Sequence, residues 1–329
     1  RIVSESAISA RIAAARKAVG DDGKRQAVIG TVARHGLRMV AAVSAEAAAD
    51  RAAPAAQRIR YARTPEGQSL AYAVTGSGPN VIRGGYSTTD LEAEWNTPSE
   101  RALFDAMAER FTLLRFDPIG FGRSDRAVEA FSFDALAENM RVAVDAAGFD
   151  RFALYSESGG VLSAVRMAVT HPERVRKLAI IGGYAEGRGR RTPEVTQDAL
   201  RMLVAEGWEP SKASFVAAML LSYFPEGPLE AVHAMARNMI AASSEEMMLQ
   251  VRDAIHRDSL LPLLPRVQCP TLIIHARHDS VHPLSEAQKL AAAIPDAELL
   301  VLETANSIPL KGNPVWPEFR DALIDFLAE

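Results

Sequence analysis

Phe152-Ala153-Leu154-Tyr155-Ser156-Glu157-Ser158-Gly159-Gly160 is the stretch that decides the fold. Four apolar or aromatic residues form a short buried strand, and the small residues after them let the chain leave it through a tight turn. A serine at the head of such a turn is lifted clear of the sheet edge and placed before a helix. The same alternation repeats on both sides. Strands are predicted at Leu70–Val74, Asn80–Arg83, Thr112–Phe116, Lys177–Ile181, Thr271–His275 and Glu298–Leu302, with amphipathic helical stretches between them. That order predicts a mainly parallel sheet covered by helices, an α/β architecture. Residues 185–264 hold no convincing strand and are rich in Met, Leu and Ala, so they are predicted to form a helical cap over one end of the sheet.

The composition agrees with a globular chain. Of 329 residues, 48 % are hydrophobic and 24 % charged, which excludes disordered and collagen-like classes. No apolar run approaches the roughly 20 residues of a membrane span, and no signal-peptide pattern opens the chain. A cytoplasmic protein with no membrane partner is expected. Cys269 is the single cysteine, so it makes no internal disulfide and finds no second thiol for a Cys-type metal site. No cofactor and no metal are expected. The net charge of −4 conceals an asymmetry: residues 1–60 carry +6 and the remainder −10. A basic module meeting an anion, joined to an acidic body, is the physical reading of that split.

Within the basic module, Ile8, Ile12, Ala15 and Val19 fall on one helical stripe, with Ser4 placed to cap and Gly20 to terminate. The opposite face is small, as a helix entering a DNA major groove requires. Ala27–Val32 and Leu37–Val43 flank Ala33-Arg34-His35-Gly36, a predicted hairpin with cations at its tip. These residues resemble the carboxy-terminal half of the winged helix-turn-helix domain of OmpR/PhoB-type transcriptional regulators, through Val3-Ser4-Glu5, Arg11-Ile12, Arg16-Lys17, Val19-Gly20-Asp21-Asp22, Val28-Ile29, Thr31-Val32 and Gly36-Leu37-Arg38-Met39-Val40. The resemblance implies a partial winged-helix domain over residues 1–43 in a naturally longer chain, with Arg11, Arg16, Lys17, Arg34 and Arg38 as DNA contacts. Residues 44–57, in an Ala-rich run interrupted by Pro54, are read as a linker.

Residues 58–329 resemble an α/β-hydrolase. The matching motifs are Asp117-Pro118-Ile119-Gly120-Phe121-Gly122-Arg123-Ser124-Asp125, His171-Pro172-Glu173-Arg174-Val175, and His275-Ala276-Arg277-His278-Asp279 with Pro283. Acyl transfer on this fold needs a nucleophile on the strand-to-helix turn, two amides for the oxyanion, and a histidine base oriented by an acid. The resemblance makes Ser158 the nucleophile, Gly85 and Gly159 the oxyanion donors, and Asp279 the acid. Ser156 and Arg83 depart from the usual glycine and histidine. The base belongs at the end of Leu302-Glu303-Thr304-Ala305-Asn306-Ser307, where Ser307 stands instead, and no histidine follows residue 282. His282 is three residues from Asp279, on the acid's loop rather than the base's. Arg83, Gly84, Tyr86, Trp95, Glu157, Trp208, Met219 and Phe224 are the candidate pocket residues. Arg83 and Glu157 either pair beneath the site or read a polar ligand.

Losing the triad histidine costs on the order of a millionfold in turnover. The reading that follows is a homodimeric transcriptional regulator whose hydrolase-like domain binds a small organic ligand without efficient hydrolysis, with Ser158, Asp279 and Ser307 vestigial or ligand-binding. The alternative is a serine hydrolase for an ester, lactone or related acyl compound, altered at position 307 or served by another base such as His282.

Overall fold

A computed structural model describes residues 5–32, 36–40, 57–85, 89–128, 130–191 and 194–328. The chain divides into two compact units, residues 1–56 and 57–329. The predicted cap Ser4, the hairpin tip with Arg34, the Ala-rich stretch through residue 56, and Tyr86 lie outside the described residues.

In the first unit α1 (Glu5–Ala18) precedes a two-stranded antiparallel sheet, β1 (Ile29–Val32) on β2 (Gly36–Met39), with Thr31 opposite Leu37. Gly20, at φ +66°, supplies the left-handed conformation on which the helix ends. Asp21 then organises the turn. Its carboxylate accepts the amides of Ile29, Val28, Ala27 and Asp22, and these bonds, led by Ile29, hold its pKa well below the usual carboxylate range. Arg16 donates to Ile29 O at 3.2 and 3.0 Å and to Thr31 Oγ1 at 2.9 Å. Its guanidinium therefore ties helix to hairpin instead of standing free for a phosphate.

The second unit is built on one eight-stranded sheet with the order β10-β9-β8-β7-β5-β6-β4-β3. Its strands are β3 (Ile59–Arg63), β4 (Ser69–Thr75), β5 (Asn80–Arg83), β6 (Thr112–Phe116), β7 (Phe152–Glu157), β8 (Val175–Ile181), β9 (Thr271–Ala276) and β10 (Ala297–Leu302). β3 and β4 are antiparallel and β4 meets β6 antiparallel; the other neighbours run parallel. α2 (Leu91–Trp95), α3 (Pro98–Ala108), α4 (Phe133–Ala146), α5 (Val161–Thr170), α10 (Leu284–Ala293) and α11 (Trp316–Ala328) alternate with these strands, and α6 (Glu194–Gly207), α7 (Ala213–Leu220), α8 (Leu229–Ala242) and α9 (Glu245–Arg257) are inserted between β8 and β9. The predicted strands are all present. β3 was not predicted as a strand, because Arg60, Tyr61 and Arg63 are exposed at the sheet edge and erase its apolar signal.

Central strands read as continuous apolar runs because helices cover both faces. Phe152, Leu154 and Tyr155 are fully buried, as are Ile180 and Ile181, and each such side chain contributes roughly 1.5–3 kcal/mol. α5 buries eight of its ten residues, which seats it over the middle of the sheet directly after the Ser158 turn. The Asp117 motif is a local clamp. The Asp117 carboxylate accepts the amides of Arg123 at 2.8 Å and Leu91 at 3.1 Å, and a Cβ at Gly122 would lie 2.2 Å from Asp117 Oδ2, so only glycine fits there. Burial pushes the Asp117 pKa up to about 7. Among the described residues no helix is long and apolar enough to cross a membrane.

Candidate active site

Parallel strands gather the ends of β5, β7, β9 and β10 on one edge of the sheet, where ligands of open α/β sheets bind. Ser158 follows β7 at φ +48°, one of two non-glycine residues with positive φ among the described residues. Strain of this kind, on a side chain that cannot relax into a helix or strand, marks a turn held in place for function. The surroundings enforce it. A Cβ at Gly84 would come within 2.8 Å of Ser156 Cβ and Oγ, and one at Gly85 within 2.6 Å of Phe116 Cζ, so glycines let the loop after β5 press against the turn. Gly84 N–H is committed to Tyr155 O at 2.7 Å.

The structure brings His282 to Ser158. Its Nε2 lies 3.5 Å from Ser158 Oγ, in a ring stacked on Tyr184 at 4.4 Å between centroids and edge-on to Tyr223 at 5.9 Å. Arg191 Nη2 donates to the other nitrogen, Nδ1, at 2.8 Å. Guanidinium has no acceptor, so Nδ1 is the accepting nitrogen and Nε2 carries the hydrogen. Burial, followed by the charges of Arg191, Arg188, His275 and Arg252, holds the His282 pKa well below 6.5. The ring is neutral near pH 7.

Asp279 and Ser307 are both buried, and neither is bonded to His282's ring. Asp279 Oδ1 accepts the amides of Val281 and His282 at 2.8 and 2.9 Å, while its Oδ2 has no partner. Ser307 donates its amide to Tyr223 O at 2.8 Å, and its Oγ also lacks a partner. Two orphaned polar atoms at the acid and base positions are costly in a dry interior.

A cavity of about 820 Å³, counting its open mouth, lies against Ser158 beneath the inserted helices. Met219 and Phe224 line it, as do Arg83 and Glu157. The last two pair: Arg83 Nη2 meets Glu157 Oε2 at 2.8 Å while Nη1 meets Glu94 at 2.8 Å, and Glu94 also bonds Arg115 at 3.3 Å. Glu100, on the same wall, has its pKa pushed up to about 8 by burial, with Glu94 and Glu157 adding to it. Trp95 and Trp208 are placed elsewhere. Trp95 stacks under Arg101 at 3.4 Å, and Trp208 is packed inside the inserted helices with its Nε1 donating to Ser243 O at 2.8 Å. Both rings are held by partners of their own and do not line the cavity.

Arg191, Arg252 and Glu100 were missed. Arg252 had a readable signal: it stands one helical turn after Met248 on the buried stripe Met247, Met248, Val251, where a cation is out of place. His282 is the substitute base named from the sequence, on the acid's loop, and its ring stands beside Ser158.

The fold and this turn define a class, and the chain belongs to it: residues 84–314 match the alpha/beta hydrolase fold family. Among curated relatives, the chain is 29 % identical over 200 residues to the "putative carbamate hydrolase RutD" of Klebsiella pneumoniae, covering 59 % of this chain and 74 % of that protein. It is 25 % identical over 237 residues to the protein of that name from Escherichia coli O6:H1, covering 66 % and 83 %. Among solved structures, an enol-lactonase from Burkholderia xenovorans superposes with TM-score 0.66 at 23 % identity, covering 82 % of this chain and all of that one, a likeness that speaks for the fold alone.

These findings overturn the expectation of a DNA-binding transcriptional regulator. The relatives are named as hydrolases, and the match runs over the enzyme fold. The DNA contacts assigned to Arg11, Arg16, Lys17, Arg34 and Arg38 fall with that reading, and Arg16 is already engaged inside its own unit. Nor do the relatives support a catalytically silent domain.

Proposed function

We propose that the protein is a serine hydrolase acting on a small acyl compound of the ester, lactone or carbamate class. The observation that carries this is the strained Ser158 turn with an imidazole nitrogen 3.5 Å from its hydroxyl. Ser158 Oγ attacks the carbonyl carbon while its proton passes to His282 Nε2, and the amides of Gly85 and Gly159 receive the oxyanion. Collapse breaks the bond to the leaving group, which takes that proton. Water then attacks the acyl-serine, the acid leaves, and Ser158 recovers its hydrogen.

Proton acceptance at Nε2 requires the ring to carry its hydrogen on Nδ1, so the Arg191 contact opens in the reacting state. A histidine held in the wrong tautomer costs about ten-thousandfold in serine proteases, which sets the expectation of slow turnover of an unspecific substrate. The test pairs turnover of a generic aryl ester with labelling by a fluorophosphonate. Ser158→Ala is expected to abolish both and His282→Ala to lower turnover at least tenfold. Turnover that survives Ser158→Ala would overturn the assignment.

A further inference from the structure

Arg252 is the one strongly basic group on the cavity wall without a carboxylate partner among the described residues. It is 7 % exposed, its Nη1 donates only to the thioether of Met219 at 3.4 Å, and its Nε has no partner at all. A thioether is a weak acceptor, and a buried guanidinium without an anion is a large uncompensated desolvation. The other cation of the cavity, Arg83, is satisfied by Glu94 and Glu157. Charge therefore balances at Arg83 and not at Arg252. Met248 and Ile255 are among the apolar residues of the same lining.

We propose that Arg252 is an anion subsite, and that the compounds bound over Ser158 carry a carboxylate on the side of the molecule away from the reacting carbonyl. A carboxylate fits for two reasons. It supplies the missing counter-charge, and its two oxygens match the guanidinium fork, whose Nε edge is unoccupied. His282 strengthens the selection, since its neutral ring adds no competing cation next to the hydroxyl while the field of the nearby arginines is positive. The inference rests on the hydrolase reading only for what becomes of the ligand after it binds.

Binding is measured by calorimetry with Ser158→Ala protein, which keeps the cavity and removes the nucleophile. The probes are monomethyl succinate, glutarate and adipate, each against its dimethyl ester. The expected result is that at least one monoanion binds tenfold or more tighter than its neutral diester, that Arg252→Met removes this preference, and that Arg252→Lys keeps part of it. Arg252→Met is also expected to raise the melting temperature, because an uncompensated buried charge is gone; this shows that the variant folds. Equal affinity for charged and neutral probes at all three lengths, or a preference that survives Arg252→Met, would overturn the subsite. Failure of the hydrolase reading looks different: no aryl-ester turnover by the protein with Ser158 intact, while the monoanion preference in Ser158→Ala remains.

Discussion

Arg191 donates to Nδ1 of His282 at 2.8 Å, and this bond sets the hydrogen of the ring on Nε2, the nitrogen that faces Ser158. In a working triad a carboxylate occupies the Arg191 position and imposes the opposite tautomer. The arginine is itself anchored, through Nε to Glu186 O at 2.9 Å and Nη1 to Val281 O at 3.3 Å. These two bonds leave Nη2 as the part of the guanidinium that meets the ring.

Replacing Arg191 with Gln follows directly. The amide oxygen can accept from Nδ1–H, so both tautomers become available and Nε2 can take the proton of Ser158. Aryl-ester turnover is expected to rise about tenfold or more, a part of the ten-thousandfold that a wrong tautomer costs. Nitrogen NMR of labelled histidine supplies the second reading, with the hydrogen on Nε2 in the parent protein. Unchanged turnover together with an Nδ1–H ring in the parent would reject the tautomer argument.

Ser307→His tests the two orphaned atoms. The substitution offers a ring nitrogen where Asp279 Oδ2 lacks a partner and Ser307 Oγ is buried unpaired. Turnover is expected to increase by on the order of a hundredfold or more, because an acid-oriented base replaces a poorly oriented one. Overpacking at a position 1 % exposed costs about 1–3 kcal/mol, so the gain should come with a lower melting point. A folded variant with no gain in kcat would show that Asp279 is not poised to orient a base.

How much of this was legible beforehand depends on whether a residue's role is local. The central strands announce themselves as buried runs, and Gly122 and Asp117 act within one short loop, so their motif could be read directly. Ser158 needed only the turn around it. His282 and Arg191 are 91 residues apart in the chain and meet only because the segment after β8 folds back over the loop after β9. No spacing rule encodes such a contact. In the first unit the motif-level likeness suggested nucleic-acid contacts, yet Arg16 is consumed by Ile29 O, a long-range bond that no pattern of charges displays.

Glu94 is shared by two arginines beneath the site, with Arg83 at 2.8 Å and Arg115 at 3.3 Å. Removing it leaves Arg115 without a carboxylate and Arg83 with Glu157 alone, and a broken buried pair costs more than the intact pair contributes. Glu94→Ala is expected to lose about 3–5 kcal/mol in urea unfolding, with Glu94→Gln losing less because one acceptor oxygen remains. A loss below about 1 kcal/mol for the alanine variant would mean that water reaches the arginines.

Glu100 gives a pH signature of known sign. Burial, with Glu94 and Glu157 beside it, raises its pKa from 4.5 to about 8. Between those values the folded protein holds a proton that the unfolded chain has released, so this group lowers stability progressively as pH rises, and the full cost is reached above about 8. Each pKa unit is worth about 1.4 kcal/mol. Glu100→Gln does not titrate but can still accept from Asn238 Nδ2, which lies 3.3 Å from Glu100 Oε2. The melting temperature of the variant is therefore expected to match the parent near pH 4.5 and to exceed it by a few degrees at pH 8.5. Asp117 and the buried histidines titrate in both proteins, so the difference isolates residue 100. A difference that stays constant across that range would mean that the Glu100 carboxyl ionises as an ordinary surface acid and that the wall beside Ser158 is wet.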